Sequence, residues 1–237
     1  ENICESVKNN VLGTFLIAKT ALKYNVANFV LISSDKAVRP SSIMGASKRL
    51  AEVYVQSIND KHTNKILSIV RFGNVLDSSG SVIPLFREQI NNGGPVTVTH
   101  PEVTRFFMTI PEAASLILQA TNLSNGGEVF LLDMGKPIKI LDLAKKMINL
   151  SGFEVRTDKN YNKNNVIEIQ FTGLKQGEKL YEELLITSDN TKRLNNNILV
   201  ANEDYLEYDK IEKKITLIKK LLSNNNINKL IEEIKEI

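Results

Sequence analysis

The 237-residue sequence holds a single cysteine, Cys4, so it can form no internal disulfide and no cysteine-based zinc site, which fits a reducing cytosolic setting. No run of roughly 18 uninterrupted apolar residues occurs, so no segment reads as a bilayer-spanning helix. A signal-peptide pattern is lacking, and the chain opens on Glu1-Asn2-Ile3 without an initiating Met, which predicts that the natural protein starts further upstream. There is little excess of either charge, +3 in all, and Lys and Arg are scattered among Asp and Glu. The modest cluster Lys213, Lys214, Lys219 and Lys220 reads as a solvated helix face, so no nucleic-acid partner is expected. Neither His62 nor His100 has metal-ligand company, and no metal site is expected. Also missing is a glycine-rich G-x-G-x-x-G or G-x-x-G-x-x-G turn after a strand, the signature of a complete dinucleotide site.

What is present is an ordinary globular composition, 42% hydrophobic and 24% charged, long enough for one large domain or a domain with a smaller lobe. Apolar residues at helical spacing (Val7, Val11, Leu12, Phe15, Ala18, Leu22) predict a helix over 6–23. The run Asn28-Phe-Val-Leu-Ile-Ser-Ser34 predicts a buried parallel strand, followed by a helix over 44–58 and a second buried strand over 66–70. Helices are predicted over 82–92, 111–123 and 141–150, a strand over 128–133, a loop at 161–165 and a helix starting near Glu178. Two amphipathic helices close the chain over 208–222 and 226–236. The stretches Asn195–Asn197 and Asn224–Asn226 read as helix-breaking connections. Alternation of helix and strand argues for an α/β fold.

The densest chemistry is Ser33-Ser34-Asp35-Lys36, followed nine residues after Asp35 by Met44-Gly-Ala-Ser-Lys48. The first group ends a predicted buried strand, where open parallel sheets place ligands. Met44 and Lys48 are four apart near a helix start and so share a face. Alone, the polar cluster would equally suit a plain strand-to-loop transition.

The whole arrangement resembles the extended short-chain dehydrogenase/reductases, in which a Ser or Thr at a strand end faces a Tyr-x-x-x-Lys helix. It is most similar to the capsule-biosynthesis (CapD-like) branch of UDP-N-acetylglucosamine 4,6-dehydratases. Besides the two segments above, the resemblance is carried by Val70-Arg-Phe-Gly-Asn-Val75, Ser78-Ser-Gly-Ser-Val-Ile-Pro-Leu-Phe86 and Gly94-Pro-Val-Thr-Val-Thr-His-Pro101. It continues through Thr104-Arg-Phe-Phe-Met-Thr-Ile-Pro-Glu112 and Gly177-Glu-Lys-Leu-Tyr-Glu-Glu-Leu184. Met44 stands where the superfamily has its catalytic Tyr, and a thioether cannot carry that proton; some members of the CapD-like branch share the Met. Lys175-Gln176 replaces the more usual Arg-Pro before Gly-Glu-Lys.

The resemblance implies a partial Rossmann-like, doubly wound parallel sheet whose first strands are missing, with a smaller C-terminal substrate-binding lobe. Residues 1–139 would carry the nucleotide-binding part, with substrate-lobe excursions near 76–108, and residues 140–237 the lobe and closing helices. It implies NAD or NADP as cofactor, held by Lys48 and Arg71-Phe72-Gly73, and a UDP-sugar as substrate. Catalysis would use Ser34 on the C4 oxygen, Asp35 as acid at C6 and Lys36 as base at C5, beside Met44 and Lys48. Asn74, Val82 and Ile83 would contact the nucleotide, Arg105 the diphosphate and Glu178 a ribose hydroxyl. A surface ion pair suits Arg105 as well, and a helix N-terminus suits Glu178. Epimerases on the same scaffold and a truncated, non-catalytic remnant stay open. The implied setting is cytoplasmic, as a homo-oligomer when complete, with an inner-membrane anchor on the complete protein left open. A bare sheet edge is expected where the missing strands would pair.

Overall fold

The structure, a computed structural model, describes residues 2–62, 66–78, 80–157, 164–184 and 191–236. The chain divides into two compact units, one of Glu1–Phe72, Ala113–Asp133 and Glu183–Ile237, the other of Gly73–Glu112 and Met134–Glu182.

In chain order, α1 (Ile3–Val7), a π-helical turn (Lys8–Gly13) and α2 (Thr14–Lys23) replace the single helix expected over 6–23. Val7, Val11, Phe15 and Ala18 nevertheless stay buried. Next come β1 (Asn28–Ile32), a 3-10 turn (Asp35–Ala37), α3 (Ile43–Lys61) and β2 (Ile66–Arg71). Ser42 caps α3 by accepting the Gly45 N–H at 3.1 Å. The second unit takes β3 (Asn74–Val75), α4 (Val82–Asn91), β4 (Val96–Val98), β5 (Thr104–Arg105) and β6 (Phe107–Met108). Through α5 (Ile110–Leu123) the chain returns to the first unit at β7 (Val129–Leu132). The second unit resumes with β8 (Ile138–Lys139), α6 (Ile140–Leu150), β9 (Glu154–Val155), β10 (Val166–Ile167) and β11 (Ile169–Phe171). Finally β12 (Thr191–Arg193), β13 (Ile198–Ala201), α7 (Tyr208–Ser223) and α8 (Ile227–Lys235) rejoin the first.

The first unit is built on a five-stranded sheet in the order β1-β2-β7-β13-β12. β1, β2 and β7 run parallel, while β13 and β12 are antiparallel additions. The α/β, mostly parallel, Rossmann-like architecture is therefore the one expected. The hairpin was not foreseen. Residues 195–197, expected to break a helix, form its turn, in which Asn195 Oδ1 accepts the Asn197 N–H at 2.9 Å. β7 is buried throughout and β2 nearly so, but β1 is half exposed, with Ile32 at 41%. The reason is positional: among the described residues β1 has a strand on one side only.

On one face of this sheet, Leu31, Leu67, Ile69 and Leu131 join a core that includes Leu50 and Tyr54 of α3, Ile215 of α7 and Leu230 of α8. α3 is buried from Ile43 to Asn59, apart from half-buried Met44 and Lys48, because α1, α2, α7 and α8 flank it and β2 packs against it. Burying each such side chain contributes about 1.5–3 kcal/mol, enough to commit the closing helices to the sheet. This corrects the expected boundary at 139/140: residues 183–237 do not belong with the smaller unit. Asn225, at φ +51°, and Asn226, which caps α8, do make the expected break.

The second unit pairs short strands, β3 with β6, β4 with β11 and β9 with β10 in parallel, and β5 with β8 antiparallel. Its core sets Phe86 and Ile90 of α4 and Ala144 and Ile148 of α6 against Val96, Val98 and Ile167. The helix expected from Glu178 does not form over the described residues to 184. Instead the Leu180 carbonyl accepts the Thr104 N–H of β5 at 3.0 Å, and this tertiary pairing overrides local propensity. The loop expected at 161–165 lies, up to residue 163, outside the described residues. Among the described residues no helix is long and apolar enough to cross a membrane.

Candidate active site

In the first unit, backbone pairing continues past the end of β1: Ser33 N–H donates to Val70 O at 2.8 Å and Asp35 N–H to Phe72 O at 3.1 Å. Ser34, extended at φ −149°, then caps the 3-10 turn by accepting the Lys36 N–H at 3.2 Å. Its hydroxyl donates to Asp35 Oδ1 at 2.8 Å, and Lys36 Nζ reaches the same oxygen at 2.8 Å. Asp35 is fully buried and its Oδ2 has no hydrogen-bond partner, whereas the Lys36 side chain is 30% exposed. A buried carboxylate oxygen without a hydrogen-bond partner is costly. Asp35 is thus enclosed behind Ser34 and Lys36, and those two are the members of the trio that solvent reaches.

The first turn of α3 lies tight against this loop. A Cβ on Gly45 would sit 2.2 Å from the Lys36 carbonyl oxygen, so only glycine allows the approach. Met44 is half-buried, and its carbonyl accepts the Ser47 hydroxyl at 2.8 Å. Ser47 in turn accepts from Asn10 Nδ2 at 2.9 Å. Asn10 comes from the π-helical turn, a contact that sequence reasoning missed because a regular helix was expected there; wide helical turns of this kind recur at functional sites. Lys48, one turn beyond Met44, places Nζ 3.4 Å from the Ile32 carbonyl. Burial pushes its pKa below the usual lysine value, partly countered by the charge of Glu52.

Of the residues expected to hold a cofactor, Arg71 is placed otherwise. Its side chain is fully buried, with Nε 2.7 Å and Nη2 2.5 Å from Glu52, and Nη1 2.6 Å and Nη2 2.7 Å from Glu203. Burial pulls its pKa down, but hydrogen bonds and charge from Glu52 and Glu203 outweigh this and raise it, so it stays a cation. A guanidinium engaged on both sides cannot reach a ligand, and this corrects the side-chain role expected of Arg71. The Phe72 carbonyl already accepts from Asp35.

The second unit carries the other expected contacts. Gly73 N–H points at Met134 Sδ, 2.7 Å away. Asn74 is in β3, its N–H bonded to Phe106 O at 3.0 Å, and Val82 and Ile83 form the half-buried first turn of α4. Arg105 and Glu178 are brought together: Nη2 lies 3.2 Å from Glu178 Oε1, Nε 3.8 Å from Glu182 Oε1, and Nη1 2.7 Å from Thr104 O. Glu178 also accepts from Thr99 Oγ1 at 2.8 Å and from Lys175 N–H at 3.1 Å. Thr99 and Glu182 were not expected in this cluster, since they join it only through folding. His100 Nδ1 accepts the Glu102 N–H at 3.1 Å.

Residues 1–203 match the family model described as "Polysaccharide biosynthesis protein". The chain is 58% identical over 181 residues to the capsular polysaccharide biosynthesis protein CapD of Staphylococcus aureus, covering 76% of this chain and 29% of that protein. The solved structure of Pen from Bacillus thuringiensis aligns at TM-score 0.71 and 34% identity, covering 84% of this chain and 60% of that one. A dTDP-glucose 4,6-dehydratase from Bacillus anthracis, solved with NAD, shares the fold at TM-score 0.59 and 18% identity, covering 72% of this chain and 58% of that one. The chain thus spans less than two thirds of the length of these proteins.

Proposed function

The chain belongs to the polysaccharide biosynthesis protein family, and from that premise we propose that it carries the acid–base site of a nucleotide-sugar 4,6-dehydratase acting on UDP-N-acetylglucosamine. The observation behind this reading is the trio in which Ser34 and Lys36 both reach Asp35 Oδ1 at 2.8 Å, beside a Met44/Lys48 helix turn. An epimerase needs one acid–base group at C4, whereas elimination across C5 and C6 needs a second pair, and Asp35 with Lys36 supplies it.

Ser34 Oγ accepts the C4 hydroxyl proton and passes its own to Asp35, which fills the part Met44 cannot play. Lys36 Nζ, more exposed than Asp35 and acting as the neutral amine, removes the C5 proton. Asp35 returns its proton, again through Ser34, to the C6 hydroxyl as it leaves as water. Lys36 then restores the proton at C5, and the net change is loss of one water. A bound NAD or NADP supplies the hydride acceptor and donor. Lys48, half-buried and held only by a carbonyl at 3.4 Å, suits the nicotinamide ribose end of such a cofactor. The pyrophosphate end needs a glycine-rich turn that this sequence does not contain. Arg105 serves the diphosphate of the UDP-sugar by exchanging Glu178 for phosphate oxygens.

The test is proton NMR of UDP-N-acetylglucosamine with NAD and the protein at the full length of its relatives. A 4-keto-6-deoxy product is expected. A 4-epimer would move the assignment to an epimerase, and unchanged substrate would remove the catalytic reading.

A further inference from the structure

Four charged side chains are buried together beneath the Ser34–Lys36 loop, and the mechanism above uses none of them. Glu52, fully buried on α3 one turn beyond Lys48, saturates both of its oxygens. Oε1 accepts from Ser33 Oγ at 2.6 Å and Arg71 Nε at 2.7 Å; Oε2 accepts from Arg71 Nη2 at 2.5 Å and Arg49 Nη1 at 3.1 Å. Glu203 closes the set by pairing with Arg71 at 2.6 Å and Arg49 at 2.9 Å, and Asp204 O accepts from Arg49 Nη2 at 2.8 Å. Two positive and two negative charges balance.

A buried ion network roughly breaks even against an apolar core, so stability alone does not account for it. Its placement does: Ser33 and Arg71 lie at the same ends of adjacent parallel strands, and the carboxylate between them fixes both. We infer that Glu52 is the positioning residue of the acid–base loop, holding Ser33, and through it Ser34 and Asp35, in register over β2. This rests on the catalytic reading of that loop.

The experiment compares Glu52→Gln with Ile215→Ala, a core truncation on α7 that controls for lost stability, in the protein at its relatives' full length. Ser33→Ala is the second variant; it cuts only the link from loop to network and leaves the charges paired. In Glu52→Gln, kcat should fall about a hundredfold, as misplacement of a reacting group does, with KM within about twofold. Its pH–rate profile should shift, and Ser33→Ala should lose kcat in the same sense with its thermal midpoint kept. Losses of kcat no greater than the control's, at matched thermal midpoint, would overturn the inference. If the wild type transforms no nucleotide sugar, the dehydratase reading fails by itself, and amide hydrogen exchange at Ser33 and Asp35 decides. Exchange faster in Glu52→Gln than in the control sustains the positioning role, and equal exchange removes it.

Discussion

Arg71 and Arg105 each sit between a pair of glutamates, and the two settings differ in contact length and solvent access. Arg71 meets Glu52 and Glu203 through four contacts of 2.5–2.7 Å, with every partner at least nine-tenths buried. Arg105 meets Glu178 at 3.2 Å and Glu182 at 3.8 Å, fills its remaining donors with backbone carbonyls, and has a Glu178 side chain that is 20% exposed. Short contacts on both sides to buried partners lock the first. The second has longer contacts and one partly exposed partner, which suits the proposed exchange of a carboxylate for a phosphate. Composition alone does not separate a structural arginine from a ligand-binding one; distance and solvent access do.

The comparison breaks most readily at Arg71. Arg71→Ala leaves two buried carboxylates with Arg49 alone between them, and denaturant unfolding should show a loss of about 3–5 kcal/mol. A loss no larger than that of Arg105→Ala would erase the distinction. For Arg105→Ala the stability loss should be smaller than for Arg71→Ala, since Glu178 is partly exposed and can rehydrate. Calorimetric titration with UDP should instead weaken about tenfold, or about 1.4 kcal/mol. Unchanged UDP affinity would leave Arg105 as an ion pair only.

Lys48 sharpens the contrast from a third side, as a cation whose recorded contact is a lone carbonyl. Its pKa is lowered in the folded protein, so the unfolded chain holds that proton more tightly, and folded stability rises as pH climbs toward the unfolded value near 10.5. Lys48→Met removes the penalty. Its thermal midpoint should exceed the wild type's at neutral pH, and the gap should close toward that value; a gap constant with pH would contradict the assigned cause.

The trio and its neighbours were legible in the sequence because they are local. Ser34, Asp35 and Lys36 end one strand, and Met44 and Lys48 share one helix turn, so periodicity alone gathers them. Arg71 was misread for the opposite reason. Its partner Glu203 lies 132 residues away, and nothing near either residue announces the pairing. The helix expected from Glu178 was misread because Gln176-Gly177 makes a turn and Leu180 is taken by β5.

By itself, the sequence determined the α/β alternation, most helices of both units and the contiguous Ser34-Asp35-Lys36 cluster, since these follow from hydrophobic period and caps acting over a few residues. Only the tertiary structure decided that the last 55 residues return to the sheet, that Asp35 is enclosed, and that Arg71 is locked between Glu52 and Glu203. Those outcomes depend on burial and on pairings between distant segments, where desolvation and distance, quantities with no local signature, set the balance.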